Sequence, residues 1–276
     1  MTDATPDDRL LEAARRGDED ALTALIERYQ PRIYGFGMKM CRNPEDAQDI
    51  VQETLLVAAR AVRDFRGASS VSTWLYTIAR SFCIKKRRRS KFAPESIVSL
   101  DGEDGRGALD LPDRGRAADD LLHDRRIREA LEQAVAALDP AYREVLILRD
   151  MEGLAASEVA EIMGLSVEAV KSRLHRARAS VRQALLPLLG PASAAPGAPG
   201  CPDMVTLFSR HLEGDIKPDT CAEMERHLAR CGRCKAACDS LKDTLRLCRM
   251  GPKPQVPQAI QESIRAGIRE LVAGKA

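Results

Sequence analysis

The sequence predicts an all-α protein, with two small helical domains joined by a flexible linker and followed by a small helical metal-binding domain. Three observations lead to this prediction. Only 4% of the 276 residues are aromatic, and Ala, Leu, Arg and Glu dominate, which favours helices over sheets. Apolar residues recur at helical spacing behind strong helix-start signals. Six of the eight cysteines lie in the last third of the chain.

Composition divides the chain into helical blocks and connecting segments. The segment after the first block is rich in Asp, Gly and Pro, which predicts a flexible linker. The segment after the second block consists mainly of Gly, Pro and Ala, which predicts a hinge. The predicted order is a first helical block (7–92), an acidic linker (93–124), a second helical block (125–189), a hinge (190–200), a Cys-rich domain (201–250) and a tail with a short amphipathic helix (251–276).

The chain contains no run of about 18 apolar residues, so we expect no membrane span and no membrane partner. Its N-terminus is acidic and polar, without the apolar segment of a secretory signal. We therefore expect a cytoplasmic protein with reduced thiols, in which clustered cysteines indicate metal or redox chemistry.

The first block contains a strongly marked helix. Asn43 as N-cap and Pro44 at the first helical position predict where it begins. Asp49, Gln52 and Glu53 fall outside its apolar face and, from the residues alone, form a solvated surface. The predicted buried face consists of Ile50, Val51, Thr54, Leu55 and Ala58.

A second helix begins near Ser72 and carries Trp74 and Phe82 into a run of Lys and Arg. The stretch from Arg80 through Lys91 contains seven basic residues and no acidic residue. Such a pattern suits phosphate binding and base stacking. The alternative is that the aromatic side chains belong to the core and the basic run only solubilises the helix end.

The second block predicts a helix-turn-helix. Asp139-Pro140 starts a helix, a short helix follows over Leu154–Met163, Gly164 makes a tight turn, and Ser166 caps a long helix. One face of the long helix is apolar and its other faces are basic, which fits a DNA major groove. The apolar stripe is Val170, Leu174, Ala177 and Val181, and the basic residues are Lys171, Arg173, Arg176, Arg178 and Arg182.

The Cys-rich domain has the compact pattern His227-x3-Cys231-x2-Cys234. His227 and Cys231 are four residues apart and face the same way on a helix, and the Cys-x2-Cys turn can close a tetrahedral site. Such ligands suit Zn²⁺, Cd²⁺ or Cu⁺. We interpret His211 as a surface residue.

The two helical blocks resemble the extracytoplasmic-function (ECF) sigma factors of bacterial RNA polymerase. The first motif is Asn43-Pro-Glu-Asp-Ala-Gln-Asp-Ile-Val-Gln-Glu53, similar to their region 2 helix. The second is the stretch from Phe65 to Arg80, similar to their strand-opening segment. The third runs from Glu152 to Arg178 and is similar to region 4. The resemblance implies a region 2 helical bundle and a region 4 helix-turn-helix.

The resemblance also implies partners and contact residues. Core RNA polymerase, through its β′ clamp and β flap, and promoter DNA are the expected partners. The implied polymerase contacts are Asp46, Asp49, Gln52 and Glu53. The implied −10 element contacts are Phe65, Arg66, Ser69, Ser70, Trp74, Arg80, Lys85, Lys86, Arg87 and Arg88. The implied −35 element contacts are Ser166, Lys171, Ser172, Arg173, His175, Arg176 and Arg178.

The Cys-rich domain resembles the zinc-binding anti-sigma domain, including the stretch Leu212-Glu-Gly-Asp-Ile216. Its fusion behind a sigma factor resembles the CorE-type metal-dependent sigma factors. The resemblance implies a first metal site, for Zn²⁺ or with Cd²⁺ or Cu⁺ as the sensed ion, and spare thiols for a second or sensing site. The first site would use Cys201, His227, Cys231 and Cys234, and the second Cys221, Cys238 and Cys248.

The leading hypothesis is a sigma factor whose activity is gated by metal in its fused domain. The alternatives are a thiol redox sensor, a purely structural zinc site, or a DNA-binding repressor that never engages polymerase. An enzyme is not expected, because no Glu stands as a general base beside a His pair and four filled ligands leave no open position. The tail helix, with Ile260, Ile264, Ile268 and Leu271, either packs on the sigma domains or self-associates.

Overall fold

The computed structural model describes residues 6–67, 69–92, 118–189, 200–251 and 254–273. All regular secondary structure in these ranges is helical, which confirms the all-α prediction. Within the same ranges, every helix is too short or too polar to cross a membrane.

The first block forms a helical bundle whose central helix begins where the sequence predicts. The Asn43 side chain accepts hydrogen bonds from the N–H groups of Glu45 and Asp46, at 2.8 and 3.3 Å. The predicted face of this helix is buried, with Ile50 and Leu55 at its centre. The elements are α1 (Pro6–Arg15), α2 (Glu19–Cys41), α3 (Pro44–Ala61), a 3-10 turn (Val62–Asp64) and α4 (Val71–Phe92).

The second block begins earlier than predicted. Its first helix starts at Ala118, inside the segment 93–124 that was expected to be linker. Acidic residues are favourable in the first turn of a helix, so the acidic composition of that segment did not exclude a helix. The remainder of the expected linker, 93–117, lies outside the described residues. The elements are α5 (Ala118–Ala137), α6 (Pro140–Leu146), a π-helical segment (Ile147–Met151), α7 (Ala156–Met163) and α8 (Val167–Leu189).

The helix-turn-helix over α7 and α8 follows the local signals. Gly164 adopts φ +65° between the two helices, a conformation that glycine favours. Ser166 Oγ then accepts a hydrogen bond from the N–H of Ala169 at 3.1 Å and caps α8. Ala155 offers α7 no side-chain cap, but its own N–H donates to the Glu158 carboxylate at 2.9 Å. The apolar stripe of α8 is fully buried, as predicted.

The described residues of the last third form four helices. The predicted hinge lies outside the described residues except for Gly200. The first three helices enclose a small core of their own, which includes Met204, Phe208, Met224 and Leu241. The elements are α9 (Met204–Leu212), α10 (Pro218–Arg230), α11 (Gly232–Met250) and α12 (Gln258–Ala273).

The C-terminal third packs back onto both preceding blocks. Helices α9 and α11 lie against α8, and α12 lies against α3. The two helical blocks also contact each other where α4 meets α7. One hydrophobic core runs through both blocks and takes in Cys248, Val256, Ile264 and Ile268 from the C-terminal third. The tail helix therefore packs on the first block, which the sequence had left undecided.

Candidate metal centre and the surfaces it adjoins

Four metal-ligand side chains converge at one end of the α9–α11 unit. Cys201 precedes α9, His227 lies near the end of α10, and Cys231 and Cys234 stand at the start of α11. Their ligand atoms all lie within 4.8 Å of one another. The sulfurs of Cys201 and Cys231 are 3.9 Å apart, and Nε2 of His227 lies 3.2 Å from the Cys234 sulfur.

This donor set fits a tetrahedral metal ion. Zinc bound to sulfur at about 2.3 Å places its ligand atoms roughly 3.5–3.8 Å apart, close to the separations seen here. Within the part of the chain that the structure describes, no other three His, Cys, Asp or Glu side chains form a group of this kind. A bound ion would join the start of α9 to the junction of α10 and α11.

The two thiols of the Cys-x2-Cys turn differ in acidity. A hydrogen bond from the Cys234 backbone N–H lowers the pKa of the Cys231 thiol. Burial raises the pKa of Cys234 to about 12. Metals bind thiolates, so a metal must displace protons here and its affinity must rise with pH.

The second site expected from the spare cysteines does not assemble. Cys221 lies on α10, where its sulfur is 3.5 Å from Nδ1 of His211 and 3.8 Å from the Glu225 carboxylate. Cys238 is buried, and its thiol donates to the Met204 carbonyl at 3.7 Å. Cys248 lies ten residues further along α11, roughly 15 Å away, in the core shared with the sigma-like blocks. The cysteine spacing alone did not reveal that Cys221 lies on α10 and that α11 holds Cys238 and Cys248 apart.

Arg178 of α8 is not on the open DNA-facing surface where the sequence placed it. Its side chain is only 2% exposed and forms two hydrogen bonds with Asp150, at 2.8 and 2.6 Å. It also donates to the Glu213 carboxylate at 2.7 Å and to Ser209 Oγ at 3.2 Å. Asp150 belongs to the second block, but Ser209 and Glu213 belong to the Cys-rich domain, which thus covers this guanidinium.

Three further basic side chains of α8 contact the Cys-rich domain. Lys171 pairs with Asp215 at 3.0 Å, and Nδ1 of His175 lies 2.7 Å from Ser209 Oγ. Arg182 donates to Ser240 Oγ at 2.6 Å. Of the other predicted −35 contacts, Ser172 and Arg176 are exposed, and Arg173 and the cap residue Ser166 are not covered by these interactions.

The charges in this interface stabilise one another. Burial acts to lower the pKa of Arg178, but hydrogen bonds and charges from Asp150 and Glu213 outweigh it and raise that pKa. Burial acts to raise the pKa of Glu213, but Arg178 and Arg149 outweigh it and lower that pKa. Burial also lowers the pKa of His175, with Arg178 acting in the same direction.

The tail helix α12 covers part of the α3 surface predicted to bind polymerase. Ile264 and Ile268 are buried there, and Gln52 donates to Ser263 Oγ at 3.0 Å. Gly267 lies so close to Leu56 of α3 that a Cβ would stand 2.6 Å from the leucine Cδ2.

The predicted acidic contacts on α3 are unevenly engaged. Asp46 pairs with Lys86 at 3.1 Å, and Asp49 is hydrogen-bonded to the same ammonium group. Glu53 is exposed. Lys86, a predicted −10 contact, thus pairs with Asp46 and Asp49, two predicted polymerase contacts.

The aromatic residues near α4 belong to the core surface. Phe65 stacks on Trp74 with ring centroids 4.5 Å apart, and Phe82 packs against the same core. Lys85 Nζ lies 4.9 Å from the Phe82 ring centre. Three other predicted −10 residues, Arg66, Arg87 and Arg88, are exposed. Ser69, just before α4, is half-buried, and Ser70 Oγ accepts a hydrogen bond from the N–H of Thr73 at the start of the helix.

Three glutamates join the second block to the first. Glu144 accepts a hydrogen bond from Arg80 at 2.5 Å. Glu152 accepts one from Tyr76 at 2.5 Å, and Glu158 accepts one from Ser70 at 2.7 Å. Arg80 and Ser70 are both predicted −10 contacts, and both are engaged in these hydrogen bonds.

The sequence did not identify the acidic residues that oppose these cations. Asp150 lies outside the quoted motifs, and Glu152 and Glu158 lie in the region-4-like stretch without an assigned role. Each of the three pairs with a residue far along the chain. Glu213 and Asp215 do fall in the Leu212–Ile216 stretch that resembles anti-sigma domains, and this was the one available signal.

Three known protein families match parts of the chain. Residues 25–92 match the family described as "Sigma-70 region 2", and residues 128–181 match "Sigma-70, region 4". Residues 201–235 match the family described as "Putative zinc-finger".

Two curated relatives cover the sigma-like part. The RNA polymerase sigma-H factor of Pseudomonas aeruginosa is 33% identical over 190 residues, which are 66% of this chain and 95% of that protein. The ECF RNA polymerase sigma-E factor of Escherichia coli K12 is 28% identical over 193 residues, which are 68% of this chain and 99% of that protein.

Two solved structures contain chains similar to this one. The sigma factor RpoE with the anti-sigma factor NepR from Bartonella quintana is 25% identical and covers 58% of this chain and 93% of that one, with a TM-score of 0.43. CnrH with the cytosolic domain of CnrY is 24% identical and covers 64% and 95%, with a TM-score of 0.44.

The two helical blocks are therefore the promoter-recognition regions of a transcription initiation factor, and the domain behind them is of the zinc-finger type. The chain belongs to the ECF group of the sigma-70 family, with regions 2 and 4 and a C-terminal zinc-finger-like, anti-sigma-like domain. Members of this family direct RNA polymerase to promoters and are not catalysts.

Proposed function

We propose that this sigma factor is held inactive by its own C-terminal third and that a metal ion at the Cys201–Cys234 cluster favours the inactive arrangement. The observation that carries the proposal is the double coverage of the sigma regions. The Cys-rich domain lies on α8, and the tail helix lies on α3.

Coverage of α8 bears on −35 recognition. Lys171, His175 and Arg178 are among the proposed −35 contacts, and each has a partner in the Cys-rich domain. A DNA phosphate or base edge would have to displace these partners. Because sigma region 4 must enter the major groove, DNA and the Cys-rich domain compete for one helix.

Coverage of α3 bears on polymerase binding. Gln52 is a proposed polymerase contact and is hydrogen-bonded to the tail helix. Asp46, Asp49 and Glu53 lie along the same helix and are the other proposed contacts. A partner docking on this face would need α12 to move away.

The metal cluster lies at the joint of the inhibitory domain. Cys201 precedes α9, which supplies Ser209, whereas Cys231 and Cys234 begin α11, which supplies Ser240. An ion bound to all four ligands would fix α9 relative to α11, the two helices that contact α8. We call the arrangement in which the C-terminal third covers α8 and α3 the closed arrangement. The four ligand atoms are already gathered in it, so the free energy of metal binding favours closure.

The remaining promoter contacts follow from the same proposal. We assign the −10 element to Phe65, Trp74 and the basic run Lys85–Arg88, and single-stranded DNA would compete with the interactions these groups make within the chain. Release of Arg80 from Glu144 and of Ser70 from Glu158 would accompany the separation of the two sigma regions.

Binding of the full chain to core RNA polymerase tests the proposal. The protein is treated with a chelator under reducing conditions and titrated with Zn²⁺, Cd²⁺ or Cu⁺. We expect one equivalent of the effective metal to weaken polymerase binding and retention of promoter DNA. Cys231→Ser should remove this response. Cys221→Ser, which changes a cysteine outside the cluster, should keep it.

The outcomes are distinct. Equal polymerase binding with and without metal would leave the site a structural one and end the gating proposal. Tighter binding with metal would reverse the proposed sign. Failure of every form to bind core polymerase, while DNA binding persists, would instead support a repressor.

A further inference from the structure

A carboxylate of region 4 lies in a pocket of region 2 that is formed by a tyrosine and two cations. The Glu152 side chain is 9% exposed, and its Oε2 accepts hydrogen bonds from the Tyr76 hydroxyl at 2.5 Å and from Arg32 Nε at 3.4 Å. Its other oxygen, Oε1, lies 3.8 Å from Lys39 Nζ. A second nitrogen of Arg32 donates to the Glu152 carbonyl at 3.2 Å. Region 2 thus holds both oxygens of one singly charged group.

The pocket is built by region 2 itself. Arg32 and Lys39 lie seven residues apart on α2, which is two helical turns, so they project from the same face of that helix. Tyr76 lies on α4, where its ring is fully buried and meets Phe36 edge-on, with ring centroids 5.5 Å apart. The Arg32 guanidinium lies over the rings of Tyr29 and Tyr76, at 5.2 and 5.7 Å. These ring contacts are made within region 2, so we expect the pocket to persist when region 4 moves away.

The two cations of this pocket depend on region 4 for their charge partner. Among the residues that the structure describes, Glu152 is the one carboxylate paired with Arg32 or Lys39. Departure of Glu152 would leave two positive charges and the Tyr76 hydroxyl around the vacated position. Burial raises the pKa of Tyr76 well above its ordinary range, so this hydroxyl stays protonated and remains a donor. Such a site favours an anion with two oxygens.

The pocket adjoins the proposed −10 surface. Tyr76 and Arg80 are four residues apart on α4, so they face the same side of that helix. Region 4 places three carboxylates along this side: Glu158 at the start of α4, Glu152 at Tyr76 and Glu144 at Arg80. Three carboxylates spaced along one helix face make a row of negative charges, as the phosphates of a nucleic-acid strand do.

We propose that Arg32, Lys39 and Tyr76 form a phosphate-binding pocket for the promoter DNA strand. A phosphodiester, like a carboxylate, presents two oxygens that share one negative charge, so the Glu152 carboxylate stands in for it while regions 2 and 4 are in contact. When the two regions separate, a backbone phosphate beside the −10 element takes its place. Phosphate contacts position a strand without reading its bases, so the pocket supplies affinity rather than sequence specificity. This inference rests on the proposed −10 surface of α4 and is independent of the metal cluster.

The test measures binding of the full-length chain to a fluorescent −10 single strand by anisotropy, over a range of salt concentrations. We expect Glu152→Gln to raise the affinity at least about tenfold, because it leaves two cations without their anion. Adding Lys39→Gln to this variant should lower the affinity again. It should also reduce the slope of log K against log salt by about 0.7, the value for one phosphate of a single strand. An unrelated strand of equal length should lose affinity by the same factor.

Arg226→Gln, made in the same Glu152→Gln background, is the matched control. It removes one positive charge from the exposed surface of α10, a helix that packs on α9 and α11. We expect it to leave the affinity and the salt slope unchanged. Glutamine is close in size to glutamate, and the Lys39 side chain is partly exposed, so the test variants should fold. No gain in affinity in Glu152→Gln, or an unchanged salt slope when Lys39→Gln is added, would overturn the proposal.

Arg87→Gln separates failure of the pocket from failure of the −10 surface. Arg87 is an exposed member of that proposed surface. If Arg87→Gln reduces the salt slope and Lys39→Gln does not, the −10 surface stands and the pocket is wrong. If neither variant reduces it, both assignments fail. If Lys39→Gln weakens binding to core polymerase instead of DNA, the pocket accepts an acidic group of the polymerase and the phosphate assignment is wrong.

Discussion

The C-terminal third holds α8 and α3 by different physical means. Around α8 the contact is polar, and Arg178, Asp150 and Glu213 form a charged group that is almost completely withdrawn from water. Against α3 the contact is apolar, with Ile264 and Ile268 buried and charged side chains only at its rim. A buried ionic contact depends on every partner being present, whereas an apolar contact depends on shape and area.

Because the two contacts differ in this way, we expect them to respond to different conditions. The contact on α8 contains His175 and acidic groups, and is linked through α9 and α11 to the metal cluster. The contact on α3 contains no titratable group at its buried centre among the described residues, so we expect it to be insensitive to pH. We expect the α3 contact to open only when the whole tail helix leaves the surface of α3.

The largest effect should come from a charge placed in the apolar contact. In Ile264→Asp a carboxylate without a partner would be buried, which costs several kcal/mol, so the tail should leave α3. If about 3 kcal/mol of closure is lost, affinity for core polymerase should rise by up to roughly 100-fold. This affinity is measured by titration of labelled protein with core enzyme. Arg265→Ala serves as control, because the exposed Arg265–Glu27 pair contributes at most about 1 kcal/mol. Equal effects of both variants would contradict an apolar contact.

The next effect should come from removal of one charge in the polar contact. Glu213→Gln keeps the side-chain shape but leaves Arg149 and Arg178 each without one anionic partner. We expect a loss of about 2–3 kcal/mol in docking of the Cys-rich domain, since unpaired buried charges are costly. Binding of a −35 duplex, followed by fluorescence anisotropy, should strengthen accordingly. Asp215→Asn, at the more exposed pair with Lys171, should change it much less.

A smaller effect sharpens the description of the α3 contact. The Cβ of Gly267→Ala would stand 2.6 Å from Cδ2 of Leu56, the far end of a half-buried side chain that has to turn away. We therefore expect the overlap to cost at most about 1 kcal/mol, while alanine improves helix propensity by about 1 kcal/mol. In combination with Leu56→Ala the overlap is removed. Urea unfolding of the two single variants and the double variant should give a coupling of about 1 kcal/mol, with the double variant more stable than the sum predicts. Additive effects would mean that the two helices do not touch at Gly267.

The smallest effect should be that of pH on the α8 contact. The pKa of His175 is lowered from 6.5 in the closed arrangement, so the open arrangement binds more protons. Closure is therefore fully favoured above about pH 6.5 and weakens as the pH falls below it, by less than about 1 kcal/mol for this half-buried ring. Binding of the −35 duplex should thus rise severalfold when the pH falls from 7.5 to 6.0. The rise should be smaller in the variant His175→Gln, which keeps the metal cluster intact but has no titrating ring at position 175. An identical pH response in both proteins would exclude His175 as the cause.

Much of the fold was predictable because its signals are local. Asn43 and Pro44 start α3, and Gly164 and Ser166 make the turn before α8, as their backbone preferences require. The candidate ligand cluster was also predictable, since His227, Cys231 and Cys234 lie within eight residues, and only Cys201 had to be brought from a distance. The start of α5 was missed because acidic composition is compatible with both a linker and a first helical turn.

The sequence by itself determined the helices, their apolar faces, the ligand cluster and the family. Only the tertiary structure decided which polar surfaces of these helices are covered by the C-terminal third and which remain exposed. A 3.6-residue period states which side of α8 is apolar, but it cannot state that Arg178 meets Asp150 and Glu213, 28 and 35 residues away. In the same way, it marks the tail helix as amphipathic without naming α3 as its partner. Pairings between distant segments depend on how all the helices pack together, and no local pattern in the chain specifies them.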